Sequence, residues 1–337
     1  MKPTDFAKHL TEYLTNYLVS QKNVSRNTIL SYRDTFKLLL RYCHQVKNIP
    51  VEKISMDLLS NTLIVDFLGW LETGRGCSIS TRNQRLAAIH SFFRFVQSEE
   101  PAGLFHFQKV IAIPQKSAQK VAVEHLSPKA MKLLLEQPNT HSIRGRRDLT
   151  LLSVLYDTGA RVQELIDLKP CDVYLEGLAV ITLTGKGNKV RRVPVLKNTA
   201  KLLNRYLTEH SLEKPWKNQY PLFSNSRHER LTREGVAYII CKYSVAGRKI
   251  SSSIPEHVRP HMFRHSKAMH MLQAGVNLIY IRDFLGHVDL KTTEIYARAD
   301  VEAKRTAIED ICTDLVTGTL PDWSKDESLL AWLSDLK

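Results

Sequence analysis

Cysteine is scarce in this chain of 337 residues. The five present, Cys43, Cys77, Cys171, Cys241 and Cys312, are odd in number and scattered, and no CxxC pair occurs. That spacing excludes a disulfide framework and a cysteine zinc site, and it fits the reduced thiols of a cytoplasmic protein. Long apolar runs are missing too. Nowhere do 18 apolar residues follow one another, and the opening MKPTDFAKHL has no apolar signal core, so neither a membrane span nor a secretory leader is expected. A phosphate loop is lacking, because no helix with Ser or Thr follows the lysine of Gly185-Lys186-Gly187-Asn188. A metalloprotease motif is lacking as well. His261 and His265 stand four apart, but Met262 holds the place of the required glutamate, and Arg264 would set a positive charge beside a cation. No metal and no other cofactor is expected.

What is abundant is positive charge. Lys and Arg total 48 against 34 acidic residues, a net of +14. The excess is uneven: from Val301 onward there are four basic and eight acidic residues, a net of −4, which leaves +18 on the first 300. A basic body with an acidic tail is the pattern of a nucleic-acid clamp whose tail faces protein. With 43% apolar residues the chain can build ordinary cores, and its length suggests two domains.

Taken in order, residues 1 to about 100 read as helical. Ser25 is a candidate N-cap for a helix with Ile29, Tyr32, Phe36, Leu39 and Leu40 along one side. A second apolar stretch runs from Leu58 to Leu71. Ser78 or Ser80 can cap a third helix, with Leu86, Ile89, Phe92, Phe93 and Val96 as its buried stripe. On that helix Arg82, Arg85 and Arg94 form either a solvated face or a row of phosphate contacts. Periodicity fades from Pro101 to His125, which reads as a linker. A second domain starts at Ser127-Pro128, an N-cap with proline at the first helical position. A helix over Arg147 to Asp157 breaks at Thr158-Gly159, and another begins near Arg161. There Glu164, three residues on, shares a helix face with Arg161. Two β-branched runs, Val180 to Leu183 and Val190 to Val195, flank the glycine turn that carries Lys186, which signals a hairpin. Leu202 to Tyr206 and Val236 to Tyr243 read as helices. The polar connection between them, His210 to Arg230, contains Arg227 and Arg230, which with Arg233 could touch a phosphate backbone.

The densest chemistry lies in HVRPHMFRHSKAMHMLQAGVNLIYIRDFLGHVDLKTTEIYARAD. His261 and Arg264 form an H-x-x-R pair, His287 follows in LGH, and Tyr296 closes TTEIY. Apolar residues at helical spacing and the breaks at Gly275 and Gly286 predict two or three short helices. Arginine grips a phosphate with permanent charge, histidine adds donors that can move protons, and a tyrosine hydroxyl beside them can attack phosphorus. His265 and His270 read as structural.

These residues, with the upstream TGARVQEL, resemble the tyrosine recombinase (phage integrase) family over nearly the whole chain, Val24 to Tyr296. Phe263 replaces the leucine of the usual H-x-L-R-H pattern. The resemblance implies a mainly α, two-domain DNA clamp: a helical core-binding domain (1–105), a linker (106–126), a mixed α/β catalytic domain with a small antiparallel sheet (127–300), and a tail (301–337). A last helix starting at Ser324 would dock on protein. The implied enzyme is a site-specific DNA recombinase that needs neither metal nor ATP. Tyr296 would form a 3′-phosphotyrosyl bond, with Arg161 and Arg264 on the phosphate oxygens and His261 and His287 assisting. Lys186 would be the general acid, Glu164 a support, and Arg82, Arg85, Lys116, Lys189 and Arg230 DNA contacts. The implied partners are double-stranded recombination sites and further copies of the chain, as a tetramer on two duplexes passing through a Holliday junction. Integration or transposition of a mobile element is the expected setting. A type IB topoisomerase and a non-catalytic DNA-binding accessory factor are the competing readings.

Overall fold

The computed structural model describes residues 3–118, 123–185, 187–287 and 291–299. Lys186, the acidic tail and the helix expected from Ser324 therefore lie outside the described residues. Chain contacts divide the protein into two compact units, Met1–Val121 and Ala122–Lys337.

The first unit is helical: α1 (Asp5–Glu12), a wide π-helical segment (Tyr13–Gln21), α2 (Arg26–Gln45), α3 (Asn61–Thr73), α4 (Ile79–Glu99) and α5 (Leu104–Ile111). Each long helix begins where a hydroxyl can satisfy a free backbone N–H. The side chains of Thr4, Ser25, Ser60 and Ser78 accept from Ala7, Thr28, Leu63 and Thr81 respectively. The core is aromatic. Tyr13, Phe36, Phe92 and Phe93 are fully buried, and Phe36 meets Phe92 edge-on at 5.0 Å between ring centroids.

Two expectations change here. The linker expected over 106–126 opens with most of α5, whose Phe107 and Val110 are buried in this core; a helix of eight residues is too short to show a period in sequence. More consequentially, Arg82 is an internal brace and not an exposed cation. It is 5% exposed, with Nη1 donating to the Pro114 carbonyl at 3.2 Å and Nε 3.5 Å from Glu72. Arg85 is likewise committed, donating to the Ser31 carbonyl and to Thr35 on α2. Lys116 remains half exposed but rests on Glu72 at 2.8 Å. The row on α4 is mostly internal bracing, and Arg94 is its exposed member.

The second unit carries α6 (Pro128–Leu135), α7 (Ile143–Thr158), α8 (Val162–Asp167), strands β1 (Val173–Tyr174), β2 (Val180–Thr184) and β3 (Val190–Pro194), then α9 (Lys197–Glu209), α10 (Arg233–Arg248), α11 (Pro260–Gln273), α12 (Leu278–Leu285) and α13 (Lys291–Ala299). The sheet is antiparallel in the order β1-β2-β3, with Thr182 opposite Arg192. One face is covered: Ile181, Leu183 and Val193 are buried in the same core as Leu151, Leu155 and Phe263 of the helices. The connection after α9 is less idle than its polarity suggests. Leu222 and Phe223 are fully buried, and the Tyr206 hydroxyl donates to the Leu222 carbonyl at 2.9 Å. Among the described residues no helix is long and apolar enough to cross a membrane.

The bracing role of Arg82 has a measurable consequence. Arg82→Ala should destabilise the first unit by roughly 2–3 kcal/mol, less than a fully buried pair because Glu72 is partly solvated. Urea unfolding measures it. The salt dependence of DNA affinity should not change, whereas a slope reduced by about one phosphate would return Arg82 to the DNA face.

Candidate active site

The site grows from the end of α7. That helix stops at Gly159, whose φ of 55° lies in the left-handed region that favours glycine, and α8 starts three residues on with Arg161 at its N-cap. The Glu164 carboxylate folds back. Oε2 accepts from the Arg161 backbone N–H and Oε1 from the Arg161 guanidinium, both at 2.8 Å. The same carboxylate takes a second guanidinium from the sheet: Arg191 of β3 donates Nη1 to Oε1 at 3.0 Å and Nη2 to Oε2 at 2.7 Å. Arg191 Nε then reaches the Phe284 carbonyl at 3.0 Å, tying the hairpin to the end of α12. Of the three side chains, Glu164 is 4% and Arg191 12% exposed, while Arg161 keeps 35%. Burial alone would raise the Glu164 carboxyl, but the two arginines outweigh it and bring it down to about 2.

Arg264 of α11 lies beneath this pair, 3% exposed. Its Nη1 donates to the Gly159 carbonyl at 2.7 Å and its Nη2 to the Leu285 carbonyl at 2.6 Å, so the ends of α7 and α12 hold it. Burial, then Arg161 and Arg191, pull its pKa down to about 9, still charged at neutral pH. Gly286 follows α12 with φ 65°, and a Cβ there would come 3.0 Å from Arg191 Cδ. The left-handed turn delivers His287, whose Nδ1 is 2.9 Å from Thr293 Oγ1 on α13. Burial, with Arg264 next, lowers His287 to about 4.

Tyr296 of α13 closes the arrangement. It is 1% exposed and sits among Ala268, Met269, Ile281 and Leu285. Its ring stacks near-parallel to His287, 6.5 Å between centroids, and its hydroxyl oxygen is 2.9 Å from His265 Nδ1. His265 in turn lies 6.2 Å from the ring of His261, one turn earlier on α11. Burial raises the Tyr296 phenol although Arg264 and Arg161 pull it the other way. Burial also leads in lowering His261 and His265, the latter to about 4.

Arg161, Glu164, His261, Arg264, His287 and Tyr296 thus converge. Lys186 lies outside the described residues. The turn around it is built as expected, with Gly187 and Asn188 at positive φ and the Gly185 N–H donating to the Lys189 carbonyl at 2.8 Å. Lys189 is exposed at that turn. Arg230 stands apart on Asp167 at 2.5 Å, and Arg233 donates to Gln163. Sequence reasoning missed Arg191 and set His265 aside. Arg191 shares a strand face with buried Val193, which marks it as inward-pointing, and His265 shares a helix face with His261. Among the described residues no group of three or more His, Cys, Asp or Glu could hold a metal ion.

Two predictions follow from the charges. Glu164→Ala should cost about 3–5 kcal/mol, the loss expected when buried charges lose their partner, and denaturant unfolding of the variant tests it. The stability that Glu164 contributes is full above its unfolded value of 4.5 and is lost as pH falls through about 2. His265 and His287 act in a higher window. Because their folded values are depressed to about 4, the unfolded chain takes up protons first, and stability falls as pH drops from 6.5 toward 4. A melting temperature flat between pH 7 and 4.5 would contradict this arrangement.

Comparison with known proteins agrees with this geometry. Residues 124–303 match the phage integrase family, and residues 10–100 match the phage integrase N-terminal SAM-like domain. A protein of Sinorhizobium fredii, provisionally named integrase/recombinase y4rC, is 35% identical over 336 residues, 99% of both chains. The tyrosine recombinase XerD of Staphylococcus epidermidis is 32% identical over 85% of this chain and 92% of its own. Among solved structures, the fold resembles the XerH site-specific recombinase bound to difH substrate, with a TM-score of 0.68 at 24% identity over 86% of this chain and 81% of that one. It also resembles the Tn1549 transposon integrase, with a TM-score of 0.70 at 16% identity over 90% and 99%. The chain belongs to the phage integrase family of tyrosine recombinases, enzymes that transfer DNA strands.

Proposed function

We propose that this chain recombines specific DNA sites by cutting and rejoining strands through Tyr296, in the integration or transposition of a mobile element. One observation carries the reading: a buried tyrosine stands within the field of Arg161 and Arg264, against His265 and His287, which burial and Arg264 hold neutral. In this reading the two arginines take the non-bridging oxygens of the scissile phosphate and offset the charge of the five-coordinate transition state. Tyr296 Oη bonds to phosphorus as the bond to the 5′-oxygen breaks, leaving a 3′-phosphotyrosyl link and a free 5′-hydroxyl. Lys186 gives the leaving oxygen its proton. Attack by a 5′-hydroxyl of another duplex reverses the step and exchanges strands, which calls for two duplexes and four copies of the chain, with a Holliday junction between the two exchanges. ATP takes no part, because the bond energy is kept in the protein–DNA link, and the arginines serve where metal ions stand in other phosphoryl-transfer sites. The mobile-element setting is supported by similarity to a transposon integrase in fold and to the integrase/recombinase y4rC in sequence.

Covalent trapping on a nicked suicide substrate carrying a recombination site tests this reading. Wild type should form an adduct, with or without EDTA. Tyr296→Phe should bind the same DNA with affinity within about twofold, about 0.4 kcal/mol, and form none. An adduct with the variant would mean that another residue attacks. Lys186→Ala should cleave normal DNA slowly and recover when sulfur replaces the leaving 5′-oxygen, since sulfur leaves without a proton. Equal defects on both substrates would reduce Lys186 to phosphate binding.

A further inference from the structure

We infer that His265, which closes the H-x-x-R-H stretch and reads as structural in the sequence, is the group that accepts the proton of the Tyr296 hydroxyl as the tyrosine attacks. This inference rests on Tyr296 being the nucleophile. It begins with the surroundings of one oxygen. Tyr296 is almost wholly buried, so its hydroxyl proton must pass to a protein group within reach or to the substrate. Arg161 and Arg264 are close enough to act on the phenol electrostatically, but a guanidinium only donates. Arg264 moreover already gives two of its N–H groups to the Gly159 and Leu285 carbonyls. His287 presents its ring face to the tyrosine, near-parallel at 13°, and its Nδ1 is occupied by Thr293. His261 has its ring beside His265, 6.2 Å away. His265 alone among these side chains is hydrogen-bonded to the phenol, with Nδ1 2.9 Å from Oη. That distance is the working range of a general base.

The helix sets this up. His261 and His265 are four apart on α11 and share a face, so His265 is aimed at α13 by the same turn that carries Arg264 into the core. Among the described residues, the groups around the His265 ring are His261 and Arg264 from its own helix, His125 from the segment ahead of α6, and Tyr296 from α13, while His287, after α12, stacks against the tyrosine. None of these is an anion. Burial, with Arg264 close by, keeps His265 neutral, with the proton on Nε2 and a lone pair on Nδ1 toward the phenol O–H. Before DNA binds, the pair is therefore held as phenol and imidazole, and the tyrosine is unreactive. A phosphodiester on Arg161 and Arg264 offsets the charges that oppose an imidazolium. In the step itself, the Oη–H proton moves to Nδ1, the Oη electron pair forms the bond to phosphorus, and the bond from phosphorus to the 5′-oxygen breaks. That oxygen takes its proton from Lys186, and rejoining returns the His265 proton to Oη.

The test is single-turnover cleavage of the nicked suicide substrate from pH 5.5 to 9.5 by full-length wild type, His265→Ala, His265→Asn and Tyr296→Phe. Asn places an amide oxygen near the Nδ1 position, so it keeps the hydrogen bond but cannot carry the proton. The expected result is a loss of about 100-fold or more in rate for both His265 variants, with wild-type half-site affinity. Their pH profile should shift to the alkaline side, because the phenol must then ionise unaided, and added imidazole should partly restore the Ala variant. A near-wild-type rate for Asn would make His265 a positioning residue. An unchanged pH profile, or faster cleavage by both variants, would overturn the inference outright. If wild type forms no adduct, or Tyr296→Phe forms one, the assignment of the nucleophile has failed instead.

Discussion

One buried carboxylate makes this site possible. Arg161 and Arg191 lie close enough to Arg264 to add to the burial that depresses its basicity, and all three act likewise on His287; three guanidiniums in a largely water-excluded place repel. Glu164 binds two of them with three hydrogen bonds and accepts a fourth from the Arg161 backbone. It offsets part of the charge and fixes the rest in place. One carboxylate against three guanidiniums leaves an excess of positive charge, and in the proposed reaction a phosphodiester approaching its in-line transition state would supply negative charge where that excess lies. Arg161, the most exposed of the group, is the member best placed to meet the incoming phosphate.

The same carboxylate explains how distant parts of the second unit become one site. Through Arg191 it joins β3 to the last carbonyls of α12, and through Arg161 it joins the start of α8 to the end of α7. Arg264 completes the ring by bonding the Gly159 and Leu285 carbonyls. Two left-handed glycines, Gly159 and Gly286, let the chain turn at these joints. The hairpin that bears Lys186 is therefore anchored at its root by an ion pair, although its turn is exposed at Gly187, Asn188 and Lys189.

Much of this was legible in the sequence because residue type and local spacing specify it. Serine caps, the Gly159 break, the glycine hairpin and the H-x-x-R, LGH and TTEIY patterns are all short-range signals, and each lies where the structure has it. What was not legible depends on long-range pairing. Arg82 reads as a surface cation until Glu72 and the Pro114 carbonyl, from outside its helix, are seen to enclose it. Arg191 is one of two adjacent arginines on a strand, and only the sheet register and α8 together show which one is buried. His265 looks like a packing histidine until α13 brings the Tyr296 hydroxyl to it. The two-residue strand β1 has no signal of its own and exists because β2 is there to pair with.

The claim on which the rest depends is that Tyr296 is the atom donor of the covalent link. The sequence offers a direct measurement. Trypsin cleaves after Lys291 and Arg298, releasing residues 292–298, TTEIYAR, in which Tyr296 is the sole tyrosine. After trapping on a suicide substrate, nuclease trimming and digestion, mass spectrometry with fragmentation locates the nucleotide. The mass of a 3′-linked nucleotide on Tyr296 in that peptide is the predicted result. The same mass on any other peptide, or on Thr292 or Thr293 within it, would contradict the account.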